Sequence, residues 1–355
     1  MTGKKLLTFL LFILVVAPIS ITASEDHSVE KTEGEDQTKT EIKEYINHHL
    51  QDSHDFGIWH EMGLEFPLPV ILIDEGLHVF SSSNFHHGED VAESNGKYYS
   101  LYHGKIYRTD AEGTINYDED HKPTNIKPLD FSITKNVFTI LIFSIFIFWL
   151  FRKFAKSYEK GPIPNRIGRM MEPLVIFVRD EIARPNIGEK HYKKYMSYLL
   201  TVFFFIWFLN LAGMTPLGIG VTNNIAVTFA LALLTFVITQ FTSKKDYWGH
   251  IFWMPGVPAL MKIVLAPIEL LGVFIKPFAL MIRLFANMTA GHVVMMSLIG
   301  LLYVFHNWFA RGAFLGLTLF LSILELLVAF LQAYIFTMLT ALYFGGAVAE
   351  HDDHH

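Results

Sequence analysis

Residues 265–305 read LAPIELLGVFIKPFALMIRLFANMTAGHVVMMSLIGLLYVF, and residues 313–349 read AFLGLTLFLSILELLVAFLQAYIFTMLTALYFGGAVA. At about 1.5 Å per residue, a helix needs about twenty apolar residues to cross a hydrocarbon layer of about 30 Å, and both stretches far exceed that. They must therefore tilt strongly or lie partly in the membrane plane. The polar break at His306-Asn307-Trp308 joins them as a helical hairpin. The chain is thus expected to be an all-α polytopic membrane protein ending in a long tilted hairpin.

The polar side chains inside these stretches are Glu269, Lys276, Arg283, Asn287, His292, Glu325 and Gln332. An ionisable group at membrane depth costs roughly 3 kcal/mol or more, so each marks either a functional position or a structural ion pair. Lys276 reads as a snorkelling chain. With the turn taken at residue 309, Arg283 lies 26 residues before it and Gln332 lies 23 after, while His292 lies 17 before and Glu325 lies 16 after. Two depth-matched pairs are expected, Arg283 with Gln332 and His292 with Glu325. At about 100° per residue, Arg283 and Asn287 share a helix face, and His292 points about 180° away from Arg283. Glu325 and Gln332 share a face of the second stretch. Glu269 returns to nearly the side of Arg283 provided that Pro277 does not break the helix, and it lies about 21 Å from it along the axis. Titratable groups then approach the arginine from both aqueous sides on different azimuths.

Three shorter spans precede the hairpin: Val137 to Phe151, Tyr198 to Gly213, and Ile225 to Thr242, giving five in all. Residues 152–194 carry eleven Lys and Arg, and the loop Lys244 to His250 carries two lysines, whereas the Pro216 loop carries none. Positive charge marks the cytoplasmic side, so the Pro216 loop is expected outside and the carboxyl end inside. From Arg166 to Arg184, Ile167, Met170, Met171, Leu174, Val178 and Ile182 recur at helical spacing. That segment reads as an interfacial amphipathic helix kinked at Pro173, its arginines toward anionic headgroups. A cytoplasmic helix packed on a partner fits the same pattern.

The first 23 residues have the layout of a secretory signal peptide: Lys4 and Lys5, an apolar run from Leu6 to Ala17, and small residues around Ala23. Residues 24–130 are expected outside, as an acidic periplasmic segment, and residues 131–355 form the membrane domain. The acidic segment has a net charge of −15, the membrane domain +7, and the whole chain −6. The segment begins as a charged tract, Glu25 to Glu44, with almost nothing to bury. Further on, Val70 to Ile73 reads as a strand, and Tyr98 to Tyr107 as a hairpin turning at His103-Gly104. Ten of the seventeen histidines lie in this segment without the spacing of a metal site, so they read as part of a solvated acidic surface.

With 52% hydrophobic and 17% charged residues, the chain is neither a disordered protein nor a nucleic-acid binder nor an ordinary soluble enzyme. There is no cysteine, hence no disulfide and no thiolate chemistry. No P-loop and no nucleophile constellation is present. On the residues alone, the buried charges fit a proton path, a secondary ion transporter or a scaffold with a structural arginine. Paired repeats of the transporter kind are not seen.

The run Ile282-Arg283-Leu284-Phe285-Ala286-Asn287-Met288-Thr289-Ala290-Gly291-His292 closely resembles the signature of subunit a of the F-type ATP synthase membrane sector, as does Leu331-Gln332-Ala333-Tyr334-Ile335-Phe336. Leu209-Asn210-Leu211-Ala212-Gly213-Met214-Thr215-Pro216 supports the resemblance, which covers about residues 131–350 and leaves out the acidic segment. It implies a proton-translocating stator subunit that faces a ring of c subunits and meets b-type stalk subunits in a bacterial inner membrane. No cofactor, metal or nucleotide chemistry of its own is implied. Arg283 resembles the obligatory arginine facing the ring, Asn287 and Gln332 its polar neighbours. His292 and Glu325 match positions lining the outer half-channel, and Glu269 matches an acidic position toward the inner one.

Overall fold

The structure, a computed structural model, describes residues 52–59, 64–88, 90–119, 122–159, 161, 166–215, 220–253, 258–304 and 307–349. The signal peptide, the tract Glu25 to Glu44, the pair His48-His49, the centre of the Pro216 loop, and the tail from Glu350 to His355 lie outside these residues.

Among the described residues, five helices are long and apolar enough to cross a membrane. The first, α1 (Lys135–Tyr158), starts at Thr134, whose Oγ1 accepts from the Val137 amide, and runs past its apolar stretch into the basic cluster of Arg152, Lys153 and Lys156. Next come α2 (Arg166–Phe177), a π turn (Val178–Ala183) and a short α3 (Arg184–Ile187). Helix α4 (Tyr192–Gly213) begins two turns before the expected span, because Tyr192 and Tyr195 are buried while Lys193 and Lys194 face outward. Helix α5 (Ile225–Thr242) has the expected limits, its amino end capped by Asn224, whose Oδ1 accepts from the Ala226 amide. After a short α6 (Lys245–Phe252) come α7 (Ala259–Val304) and α8 (Trp308–Val348), of 46 and 41 residues.

At about 1.5 Å per residue α7 and α8 are about 69 and 62 Å long, twice the hydrocarbon thickness. Proline inside a helix removes one hydrogen bond and crowds the preceding turn. Pro267 and Pro277 nevertheless lie within one continuous α7, so the azimuths counted from the sequence hold along it. Helix α8 packs on α4 and α7, and α7 packs on α5. Their shared core is aliphatic and aromatic: Leu199, Phe203, Leu284, Phe336 and Phe344 are fully buried.

The segment after α1 is only partly the expected headgroup helix. Its α-helical period breaks at Val178, and the π turn brings Val178, Ile182 and Ala183 into the hairpin core. Arg179 and Arg184 both bond Asp180, at 2.8 Å, in a partly exposed ion network. That network holds the carboxyl of Asp180 below the usual range, chiefly through the Arg179 hydrogen bond. The close seat of α3 on α8 depends on Gly345, where an added Cβ would collide with the Asn186 carbonyl.

Before α1 the chain forms a small β module. Strands β1 (Asp55–Trp59) and β2 (Leu64–Pro67) pair antiparallel. Strand β3 (Pro69–Ile73) lies between β4 (Leu77–Ser81) and β8 (Leu129–Asp130), and β6 (Lys97–Tyr102) lies between β5 (Ala92–Ser94) and β7 (Lys105–Thr109). The expected strand and the expected hairpin are both present. Asn95-Gly96 and His103-Gly104 turn with positive φ throughout, the twist that tight hairpins require. Alternation on β3 sends Val70 and Leu72 into a core with Phe85, Tyr99 and Ile106. Burial, reinforced by the neighbouring Asp74 carboxylate, pushes the Tyr99 phenol up to about 12.

Asp130, at the exit of the module, is tied to His54 Nε2 at 3.3 Å and to the Ser132 amide at 2.8 Å. Its burial favours the neutral acid, but these hydrogen bonds outweigh burial and hold the carboxyl below its ordinary value. A depressed carboxyl contributes stability that is complete above the unfolded-state value of about 4 and is lost as pH falls through the folded-state value. Thermal unfolding of the purified protein should therefore occur at lower temperature as pH drops below about 4. Asp130→Asn should flatten that dependence; an equally steep profile in the variant would assign it to other groups.

Candidate functional site

Helix α7 carries two different chemistries on opposite faces. Arg283 and Asn287 lie on its exposed face, and His292 is buried on the other. Around Arg283 the exposed face is made of Ala279, Ala286 and Ala290 together with Phe278 and Ile282. Small residues beside a cation leave room for another helix to approach it closely. Arg283 makes no hydrogen bond or ion pair among the described residues, and its electrostatic neighbour is the phenol of Tyr343 on α8.

On the closed face, His292 Nδ1 stands 3.3 Å from Glu325 Oε1, as the hairpin count predicts. His292 Nε2 is 2.8 Å from the Gly213 carbonyl of α4, and Nδ1 is also 3.1 Å from the Met288 carbonyl. Both ring nitrogens therefore face acceptors, although a neutral imidazole carries a single N–H. Two arrangements satisfy the site. In one, an imidazolium sits beside a Glu325 carboxylate; in the other, Nε2–H donates to Gly213 and a protonated Glu325 donates to Nδ1. They differ only by a proton moving between Nδ1 and Oε1. Gly291 makes the space, since a Cβ there would stand 3.0 Å from Glu325 Oε1.

Gln332 does not pair with Arg283. Its Oε1 accepts from Asn287 Nδ2 at 2.8 Å. The depth count explains the correction, because Asn287 lies 22 residues before residue 309 and matches the 23 of Gln332 better than the 26 of Arg283 does. The carboxamide bridge fixes α7 to α8 one turn from the arginine and leaves the guanidinium on the open face. Glu269 is half-buried on α7 and has no hydrogen bond or ion pair among the described residues.

A cavity of about 60 Å³ lies between α5, α6, α7 and α8, mostly apolar in its lining but with Thr239, Gln240, Tyr247, Lys276 and Tyr343 in its wall. Gln240 Oε1 is buried there without a partner among the described residues, and the Lys276 ammonium lies 5.8 Å from the Tyr343 ring. Sequence reasoning missed this group, although the same count reveals it: Lys276 is 33 residues before the turn and Tyr343 is 34 after. Glu269 is not among the lining residues. Asn210 was also overlooked as a site residue. It is buried on α4 and accepts from Thr222 Oγ1 at 3.0 Å while donating to the Ala329 carbonyl at 3.4 Å.

Five spanning helices among the described residues, a hairpin with a cation on its open face and an acid–base pair on its closed face define an ion-transporting multi-pass membrane protein. The family model described as ATP synthase A chain matches residues 136–345, and a domain of unknown function, DUF8433, matches residues 45–131. The chain is 42% identical to ATP synthase subunit a of Chloroherpeton thalassium over 233 residues, 63% of this chain and 69% of the relative. It is 42% identical over 248 residues to ATP synthase subunit a 2 of Chlorobaculum tepidum, covering 67% and 70%. It is 45% identical over 210 residues to ATP synthase subunit a of Anaeromyxobacter dehalogenans, covering 57% and 54%. The chain belongs to the family of F-type ATP synthase subunit a.

Proposed function

We propose that this chain is the proton-translocating stator subunit of the membrane sector, forming two offset half-channels against a rotating c-ring. The observation that carries the reading is the placement of Arg283 and the His292–Glu325 pair on opposite faces of one continuous helix. A c-subunit carboxylic acid can face lipid only when neutral, because a bare carboxylate there is costly. Beside Arg283 it ionises, and its proton leaves toward the cytoplasm; the polar groups of Lys276, Gln240 and Tyr343 in the cavity wall support an inner route there. On the other side of the arginine, a carboxylate is reprotonated through Glu325 and His292 from outside. Net proton flow then requires rotation.

The positive charge of residues 152–194 supports a cytoplasmic carboxyl end and an exported module in the periplasm of a bacterial inner membrane. The partners of this reading are the c-ring, b-type stalk subunits and the remaining synthase. Mild solubilisation of the native complex should bring this chain out with a small two-helix c-type subunit and a long b-type stalk. Its recovery in a complex lacking both would overturn the assignment.

A further inference from the structure

We infer that the exported β module is the outer vestibule of the proton path, seated by Asp52 over an entrance that passes Asn223 on its way to the His292–Glu325 pair. The inference rests on the reading of that pair as the outer relay. Asp52 holds the outer ends of two spanning helices at once. Its Oδ2 accepts from Thr134 Oγ1 at 3.0 Å and from Asn224 Nδ2 at 3.4 Å, and its Oδ1 accepts from the Asn136 amide at 3.1 Å. Thr134 and Asn224 are the capping residues of α1 and α5. The Lys135 amide donates to the Ser53 carbonyl at 2.9 Å, which extends the seam. The charged groups around it are Lys135, within electrostatic reach of Asp52, and the His54–Asp130 pair.

Beside this seam the module presses an apolar plug onto the membrane domain. Phe56 and Leu68 are buried with Leu209, Ala212 and Val221, and Phe56 meets Phe138 of α1 edge-on at 5.2 Å. The residues under the plug lead to the relay: Ala212 precedes Gly213, whose carbonyl bonds His292, and Val221 precedes Thr222, which bonds Asn210. Between these contacts, both polar atoms of the Asn223 carboxamide are buried without a partner among the described residues, as is Thr289 Oγ1. Buried polar atoms are almost always paired with protein or with water. The orphans at Asn223 and at Thr289, one turn before His292, mark a hydrated route toward the pair. The net charge of −10 over residues 52–130 raises the local proton concentration at its entrance.

This chain has no cysteine of its own, so an introduced thiol is its single one. In right-side-out vesicles carrying the whole synthase, Asn223→Cys places one thiol on the proposed route. Silver ion added outside should inactivate proton-driven ATP synthesis at least tenfold faster than in the parent, and should protect that thiol from a fluorescent maleimide applied after denaturation. Inactivation at the parental rate with the thiol unprotected would overturn the route. Asp52→Ala should lower synthesis at least threefold at an unchanged amount of assembled complex, and should move the external pH of half-maximal rate, with Asp52→Glu restoring much of both. An unmoved pH profile would overturn the seating role. The labelling reads access without requiring transport. Arg283→Ala retaining transport would sink the stator reading, whereas an unprotected Cys in a synthase that still depends on Arg283 would sink only the vestibule.

Discussion

Arg283→Ala is expected to abolish ATP-driven proton pumping, at least a hundredfold, while ATP hydrolysis and the amount of assembled complex stay near normal. Two unit charges about 4 Å apart attract by about 4 kcal/mol at an effective dielectric constant of about 20, equivalent to roughly three units in the acidity of a facing carboxylic acid. Without that attraction the c-subunit acid has no reason to release its proton at this point of the cycle. The geometry places no other protein group in competition for the guanidinium, because Arg283 has no ion partner among the described residues and Gln332 is occupied by Asn287. Arg283→Lys should be nearly as damaging. Lysine lowers its own proton affinity readily when desolvated, whereas a guanidinium stays charged. The alanine variant should also raise passive proton leak through membranes stripped of the catalytic sector, since a fixed cation no longer repels a proton between the half-channels. The measurements are quenching of a pH-sensitive dye during ATP hydrolysis and decay of an imposed pH gradient. Coupled pumping at parental rates would defeat the proposed mechanism.

The hairpin was legible because its signals are local and one-dimensional. Apolar length gives the spans, and distance from the turn gives depth, which is how His292 and Glu325 are found as a pair. The same count, applied with a three-residue mismatch, joined Gln332 to Arg283, where the structure joins it to Asn287. A mismatch of three residues is about 4.5 Å along a helix, most of a turn, and a short carboxamide cannot span it. The π turn at Val178 was invisible because its inserted residue shifts the phase of the apolar pattern, and the arginines that then looked outward are bonded to Asp180. The Tyr343 and Gln240 cavity escaped because neither residue is charged, so neither stood out among apolar neighbours. The seat of the β module was beyond reach for a different reason. Asp52 and Asn224 are 172 positions apart, and no periodicity links residues brought together only by tertiary packing.

Exchanging the relay, with His292→Glu and Glu325→His in one chain, is expected to preserve at least threefold more proton pumping than His292→Leu alone, without reaching the parental rate. The leucine variant removes the base and leaves Glu325 in a site only 8% exposed, where it must stay neutral or carry an uncompensated charge; breaking such a pair typically costs about 3 to 5 kcal/mol. A neutral, fixed Glu325 can hold a proton but has no partner to exchange it with. The exchange keeps one acid and one base at one depth, so the transfer between nitrogen and carboxylate oxygen survives. Two details argue for a residual deficit. The imidazole would leave the helix on which Nε2 meets the Gly213 carbonyl at 2.8 Å, and the bulkier ring would enter space that Gly291 opens for a carboxylate. Adding Gly291→Ala should therefore harm the exchanged chain more than the parent, because a ring yields less than a carboxylate arm to a Cβ that already stands 3.0 Å from Oε1. An exchanged chain no better than His292→Leu, at equal complex content, would mean that the two groups do not hand a proton to one another and that their contact is structural.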